Sequence, residues 1–285
     1  MERLYINGMG KINLSLDVIN KRPDGYHNLK MVMQTVELHD VIELKKAHSG
    51  INVICENSLV PGNSSNIAYK AAKALCEYTK KDLNVLINID KNIPVAAGMA
   101  GGSSDAAAVL KGMNELFELN IGIDALMKIG AKIGADVPYC LQGGTMLAEG
   151  TGDILTQLTP FSDVHIVLAK PRIEVSTGWV FKNYNADEVK SRPDTDSLID
   201  SINKGDLKCI ASKLGNVLES VTIKTYPIIE DIKAELMEYG ALGSLMSGSG
   251  PTVFGIFGNI DVAEKAFEKI SDKGQLDCYL TKTIC

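Results

Sequence analysis

The segment PVAAGMAGGSSDAAA at residues 94–108 places the tightest limit on how this chain can fold. Before it, at 83–89, Leu83, Val85, Ile87 and Ile89 recur at every second position, the period of a strand. After it, at 103–118, Leu110, Met113 and Phe117 recur at helical spacing. Strand, glycine-rich bend and helix is therefore the expected order. Gly98, Gly101 and Gly102 permit tight turns, so successive amides can point at one anion. A helix start adds unpaired N–H groups and the positive end of the helix dipole. Ser103 and Ser104 bring hydroxyls to the same place. Such a bend can cradle phosphate. It is neither of the two common cradles, because no lysine follows the glycines as in a Walker loop and the Gly-x-Gly-x-x-Gly spacing is absent. The same residues also suit a flexible loop ahead of a helix whose small side chains allow close packing.

Elsewhere the pattern alternates between strand and helix. Ile12, Leu14, Leu16 and Val18 face one way along an extended stretch, and Lys11, Asn13, Ser15 and Asp17 face the other. KRPDGYHN at 21–28 carries a Pro-Asp-Gly turn and 31–44 reads as extended, which makes a hairpin-like connection. Residues 51–55 form a further strand. Ile67, Ala71, Leu75 and Tyr78 lie at helical spacing behind Ser64 and Ser65, either of which can cap the helix. Asp124 opens another helix that ends near Gly134. The chain then passes through Asp136, Val137 and Pro138, where the proline biases Val137 away from helix. LTPFS at 158–162 precedes a new strand at 165–169, which places a division between 1–157 and 158–285. Beyond it come helices, strands near 242–246 and 253–257, a helix at 261–272 and a last strand at 277–283. That order predicts a ferredoxin-like α+β layer.

Composition excludes several function classes. The chain is 45% hydrophobic and 22% charged, an ordinary globular balance. Its net charge of −6 disfavours a groove that tracks nucleic acid, while a nucleotide can still be held by backbone amides at a helix start. The six cysteines form no Cys-x-x-Cys pair and read as thiols in a reducing compartment. No apolar run reaches membrane-spanning length and MERLYING is not a signal peptide, so the expected location is the cytoplasm.

Three segments together resemble the motifs of the GHMP kinases (galactose, homoserine, mevalonate and phosphomevalonate kinases): GKINLSLDV at 10–18, PVAAGMAGGSSDAAA at 94–108 and SGSGPTVFGIF at 247–257. GKINLSLDVINKRPDGYHNL at 10–29, GADVPYCLQGGTMLAEG at 134–150 and VSTGWVFK at 175–182 are similar to one branch of that family. Its members phosphorylate the 2-hydroxyl of a cytidine-diphosphate-linked methylerythritol in non-mevalonate isoprenoid precursor synthesis. The resemblance implies a two-domain α+β (α/β) GHMP kinase fold. An ATP-binding N-terminal domain, 1–157, would have left-handed βαβ-type, ribosomal-protein-like topology, and a substrate domain, 158–285, would be ferredoxin-like. It also implies ATP and Mg2+ as cofactors and a small-molecule partner, with neither nucleic acid nor membrane. Some members carry more glycine where this chain has Ala96, Ala97 and Ala100. Alanine resists positive φ, so the bend is expected to use conformations alanine tolerates.

Carried over by motif, Asp136 is the base that orients the acceptor hydroxyl, and Lys11 is its cationic partner, holding a transferring oxygen. Asn13 shares a strand face with Lys11 and can fix either the lysine or the substrate. By the same resemblance Asn66 lies near the adenosine, and Pro94, Val95, Ala96, Ala97, Gly98, Met99, Ala100, Gly101, Gly102, Ser103 and Ser104 enclose the phosphates. Gly248 and Ser249 close a tight turn against them. Tyr26 and Phe181 would sandwich the cytosine, His27 would read its edge and Thr177 would assist. No carboxylate cluster announces a metal cage, so no side-chain ligand is assigned to magnesium. Without the resemblance, Lys11 reads as a solvated strand lysine, Asp136 as a turn-capping carboxylate and Asn66 as a helix-start residue. Tyr26 and His27 then read as turn residues and Phe181 as a core aromatic. Two other functions compete. A kinase of a small aliphatic alcohol would have no base to stack on Tyr26 and Phe181, and a non-catalytic nucleotide- or RNA-binding module would present a basic face.

Overall fold

The computed structural model describes residues 2–285. The chain forms two compact units that interleave along the sequence. One comprises the residues up to Gly10, Leu38–Val95 and Ala100–Gly143; the other comprises Lys11–Glu37, Ala96–Met99 and Gly144–Cys285. Two long strands, β1 (Arg3–Lys21) and β2 (His27–Lys46), contribute residues to both. The division expected at 157/158 follows the chain order, whereas the compact units exchange segments at residues 10, 37, 95, 99 and 143.

The first unit continues with β3 (Ile51–Cys55), α1 (Ile67–Thr79), β4 (Val85–Asp90), α2 (Gly101–Leu116), α3 (Ile123–Ala131) and α4 (Val137–Gln142). Strands run in the order β3-β4-β2-β1. β3 is parallel to β4, so α1 is the crossover between neighbours, and β4 is antiparallel to β2 from Val41↔Asp90 to Lys46↔Val85. The core gathers Ile42, Leu44, Val85 and Ile87 from the strands with Leu75, Leu110 and Met113 from the helices. Ala68, Ala71 and Ala72 on α1 and Ala106, Ala107 and Ala108 on α2 are buried in it, and such small side chains let helices approach closely. Gly112 lets α2 approach the sheet, because a Cβ there would lie 2.5 Å from Leu44 Cδ1 on β2.

Two local readings change. The cap of α1 is Asn66, whose Oδ1 accepts from the Ala68 amide at 2.8 Å. The backbone amide and hydroxyl of Ser65 are both turned onto Asn63 Oδ1, at 2.9 and 2.6 Å, which removes Ser65 from the capping position. Val137 is helical, as the first residue of α4, despite preceding Pro138. A proline in the first turn sacrifices no helical bond, because that N–H would have had no acceptor.

The second unit contains β5 (Thr145–Gly150), β6 (Ile154–Gln157), β7 (His165–Pro171), α5 (Thr177–Asn183), α6 (Thr195–Lys204), α7 (Leu207–Ser212), β8 (Gly215–Asn216), α8 (Glu219–Thr225), α9 (Ile228–Glu238), β9 (Gly243–Met246), β10 (Val253–Phe257), α10 (Ile260–Ser271) and β11 (Leu276–Lys282). Its four-stranded antiparallel sheet has the order β11-β7-β10-β9. Counting from β7 this is 4-1-3-2, the arrangement expected of a ferredoxin-like unit. β5 pairs with the early part of β2, and β6 folds back on β5. That hairpin occupies the stretch the sequence presented only as glycine-rich.

Candidate active site

In the glycine-rich bend positive φ falls on alternate residues: 51° at Ala96, 71° at Gly98 and 57° at Ala100. Alternating backbone handedness turns successive amides toward one side, the geometry of an anion-binding nest. The expectation that the alanines would avoid positive φ is corrected. Ala96 and Ala100 both enter the left-handed region, which L residues tolerate at a cost of about 1–2 kcal/mol each. The buried side chains of Ala97 and Met99 anchor the intervening residues.

Ala100 is also the N-cap of α2 and offers no side-chain bond. The first bond into the helix runs from the Ser104 amide to Ala100 O at 2.8 Å, so the amides of Gly101, Gly102 and Ser103 lie beyond the helix's own acceptors. The two serines divide the work. Ser104 is buried and its hydroxyl donates to Met9 O at 2.5 Å, while Ser103 is partly exposed. A Cβ on Gly134 would lie 3.6 Å from Ser103 Oγ, so the turn leading to Asp136 runs beside the first turn of α2. Asp136 stands at the N-cap of α4 without a side-chain capping bond, against its reading as a turn cap. Asn66 is fully engaged: besides the cap, its Nδ2 donates to Pro61 O at 2.7 Å. Any approach to adenosine would therefore involve a side chain already fixed at both ends.

In the second unit Lys11 is 4% exposed and Asn13 1%, so the polar face of β1 is buried at this point. Lys11 Nζ donates to Asn13 Oδ1 at 2.7 Å and to Gly98 O at 3.0 Å. An ammonium has three donors, and only neutral acceptors are engaged here. Ser247 Oγ donates to the same Gly98 oxygen at 3.0 Å. Gly98 is pressed so closely against this turn that a Cβ on it would lie 2.1 Å from Ser247 O, and one on Gly248 would lie 3.0 Å from Gly98 O. The turn at 247–248 therefore lies directly against Gly98. Its fastening comes from a residue the sequence did not single out: Asn216 Nδ2 donates to Met246 O and Gly248 O, both at 2.8 Å. Ser249 Oγ lies 2.8 Å from Thr177 Oγ1.

Phe181 stacks on His27, with ring centroids 5.4 Å apart and planes 26° apart, and Tyr184 meets His27 edge-on at 6.3 Å. Tyr26 is 68% exposed. The Tyr26 amide donates to Asp24 Oδ1 at 3.1 Å. Burial, with a smaller contribution from Lys21, lowers the His27 pKa below its ordinary value and favours the neutral ring.

In the first unit the uncapped start of α2 suits a phosphate, and in the second the buried Lys11 ammonium also favours an anion. Among the described residues no group of three or more His, Cys, Asp or Glu is placed to hold a metal ion. An open cleft of about 440 Å³ in the first unit is lined by Ile51, Val53, Ile54, Asn63, Tyr69 and Leu86 among others, and none of the residues selected from the sequence lines it.

Comparison with known proteins adds the following. The family description "GHMP kinases N terminal domain" matches residues 66–144 and "GHMP kinases C terminal" matches residues 198–276. The 4-diphosphocytidyl-2-C-methyl-D-erythritol kinase of Acetivibrio thermocellus is 53% identical, covering 100% of each chain. One from Clostridium botulinum is 50% identical over 99% of this chain and 100% of its own. A crystal structure of 4-(cytidine 5'-diphospho)-2C-methyl-D-erythritol kinase superposes with a TM-score of 0.85 at 27% identity, covering 98% of this chain and 99% of that one.

Proposed function

The chain belongs to the GHMP kinase family, and on that premise we propose that it phosphorylates the 2-hydroxyl of 4-diphosphocytidyl-2-C-methyl-D-erythritol with ATP, a step of non-mevalonate isoprenoid precursor synthesis. One observation carries the chemical reading. The first turn of α2, with its free amides, lies beside the turn that presents the unbonded side chain of Asp136. Phosphoryl transfer requires little more than alignment and charge stabilisation, and an uncapped helix start next to a carboxylate offers both.

On this reading the residues take the following parts. Bound ATP supplies the phosphoryl group. Amides from Gly98 to Ser103, with the Ser103 hydroxyl, hold its phosphates, while Gly248 and Ser249 keep the bend closed. Lys11 turns its remaining N–H toward a transferring oxygen, and Asn13 fixes the ammonium in place. Asp136 accepts the proton of the acceptor hydroxyl as that oxygen bonds to the γ-phosphorus and the bond from that phosphorus to the bridging oxygen breaks, releasing ADP. His27 and Phe181 hold the cytosine, with Tyr26 free to close over it and Thr177 beside Ser249. Magnesium would enter with the nucleotide and neutralise phosphate charge, with no side-chain ligand assigned to it. The reading extends to a cytoplasmic enzyme; no described helix is long and apolar enough to cross a membrane.

The deciding experiment compares ADP release with the cytidylyl substrate, homoserine and mevalonate at equal concentration. Turnover of the cytidylyl substrate alone is the expected result. Faster turnover of either small alcohol would overturn the substrate, and no turnover with any of the three would overturn the kinase.

A further inference from the structure

A buried ionic group in the first unit has no part in the chemistry above. Lys91 follows β4, Asp40 lies in β2 and Asp105 lies in α2, and their side chains are 4%, 0% and 3% exposed. Lys91 Nζ bonds both carboxylates, reaching Asp105 Oδ2 at 2.9 Å. Asp40 Oδ1 accepts from the amides of Asn92 and Ile93 at 2.7 and 2.8 Å. Asp105 Oδ1 is buried with no hydrogen-bond partner. A Cβ on Gly101 would lie 2.9 Å from Lys91 Nζ, so the ammonium also sits under the first residue of α2. One cluster therefore grips the chain on both sides of the 94–100 bend.

Its charges do not balance. Two carboxylates share one ammonium in a place water does not reach, leaving one negative charge uncompensated if both ionise. That charge would lie at the amino end of the helix whose positive dipole meets the phosphates. A proton on Asp105 removes it. Burial raises the Asp105 carboxyl to about 8, with Asp40 adding to the effect and Lys91 opposing it. Asp105 faces Lys91 from the chain after β4, Asp40 from β2 and the Cys55 thiol from β3. On α4, Cys140 lies toward Lys111 and Ser104 instead.

We propose that Asp40, Lys91 and Asp105 are positioning residues for nucleotide phosphate: the Asp40–Lys91 pair fixes the entry to the bend, and a neutral Asp105 keeps the start of α2 attractive to an anion. The proposal rests on the kinase reading, and its test is chosen to separate the two.

The test is calorimetric titration of the whole chain with ADP from pH 7 to pH 9. If only the neutral form binds well, Kd rises about tenfold over that interval. Asp105→Asn, which keeps the shape and removes the ionisation, should bind within about twofold of the wild type at pH 7 and lose the rise. Stability gives a second readout. A folded carboxyl raised from 3.8 to about 8 contributes stability that is present below pH 3.8 and lost as pH climbs through 8. Asp105→Asn should remove that part of the decline in the unfolding midpoint. A flat wild-type Kd, or a rise retained in Asp105→Asn, would overturn the proposal while leaving the kinase reading intact. Loss of ADP binding in a normally folded Asp105→Asn would also overturn it, because the neutral amide should serve. Absence of ADP binding by the wild type at every pH would sink both.

Discussion

Replacing Gly98 by alanine tests how the bend is held. Its φ of 71° costs an alanine about 1–2 kcal/mol. Ala96 and Ala100 already sit at 51° and 57°, so backbone strain alone does not demand glycine here. Space does: the new Cβ would lie 2.1 Å from Ser247 O, where ordinary contact begins near 3.4 Å. The bend and the 247–250 turn must separate by more than an ångström. Gly98 O then loses the Ser247 hydroxyl, worth about 1 kcal/mol, and the Lys11 ammonium, worth about 1.5–3 kcal/mol. The combined loss is about 3–6 kcal/mol, which lowers the melting temperature by roughly 10 °C. Because Lys11 is released, KM for ATP should rise by at least about tenfold, 1.4 kcal/mol in binding. Ala100→Gly is the control, since it relieves strain without a clash and should be neutral or stabilising by up to about 1 kcal/mol. Thermal unfolding and steady-state kinetics decide. A Gly98→Ala protein that melts within about 2 °C of the wild type with an unchanged KM would refute the reasoning.

Asp136→Asn should lower turnover by about a hundredfold or more while leaving the melting temperature unchanged, because the carboxylate caps nothing in its own helix; an undiminished rate removes it from the mechanism. Phe181→Ala uncovers His27, so NMR titration of the imidazole should show its pKa moving up toward 6.5, and no movement would mean Phe181 is not what buries it. Tyr26→Ala, exposed in this structure, should leave stability unchanged and weaken cytidine and uridine analogues equally. No change for either analogue takes Tyr26 out of the site.

The sequence was most legible where backbone geometry is written in residue size. The run from Gly98 to Ser104 announced a turn and a helix start, and both are present in the fold. The strand expected at 253–257 and the helix expected at 261–272 likewise fall within a residue of β10 and α10. Partner choice was harder to read. Asn66 outcompeted Ser65 as a cap because a third residue, Asn63, claimed the serine, and a lone helix-start pattern does not rank such rivals. The β5–β6 hairpin lay inside a glycine-rich stretch whose strands are short and only partly apolar. The stack of His27 on Phe181, with Tyr26 left exposed, had no signal in the sequence because it depends on packing between distant segments. The Asp40–Lys91–Asp105 group gave no signal in the sequence, because only tertiary structure joins the three charges.

Lys11 poses the sharpest conflict between stability and activity. Burying an ammonium forfeits several kcal/mol of hydration, and neutral oxygens return only part of it. Lys11→Met keeps the volume and discards the charge. Gly98 O would still accept from Ser247, so Asn13 Oδ1 is the acceptor stranded by the change, at about 1–3 kcal/mol. The relief of burial should exceed that loss, leaving Lys11→Met more stable than the wild type by about 1–3 kcal/mol in urea unfolding. Turnover should fall by at least about a hundredfold, the usual effect of removing a group that stabilises developing charge. Such a trade is expected where a residue is kept for a ligand rather than for the fold. A Lys11→Met protein that is less stable and still active would show the reverse, a lysine that belongs to the scaffold and leaves phosphate to the amides alone.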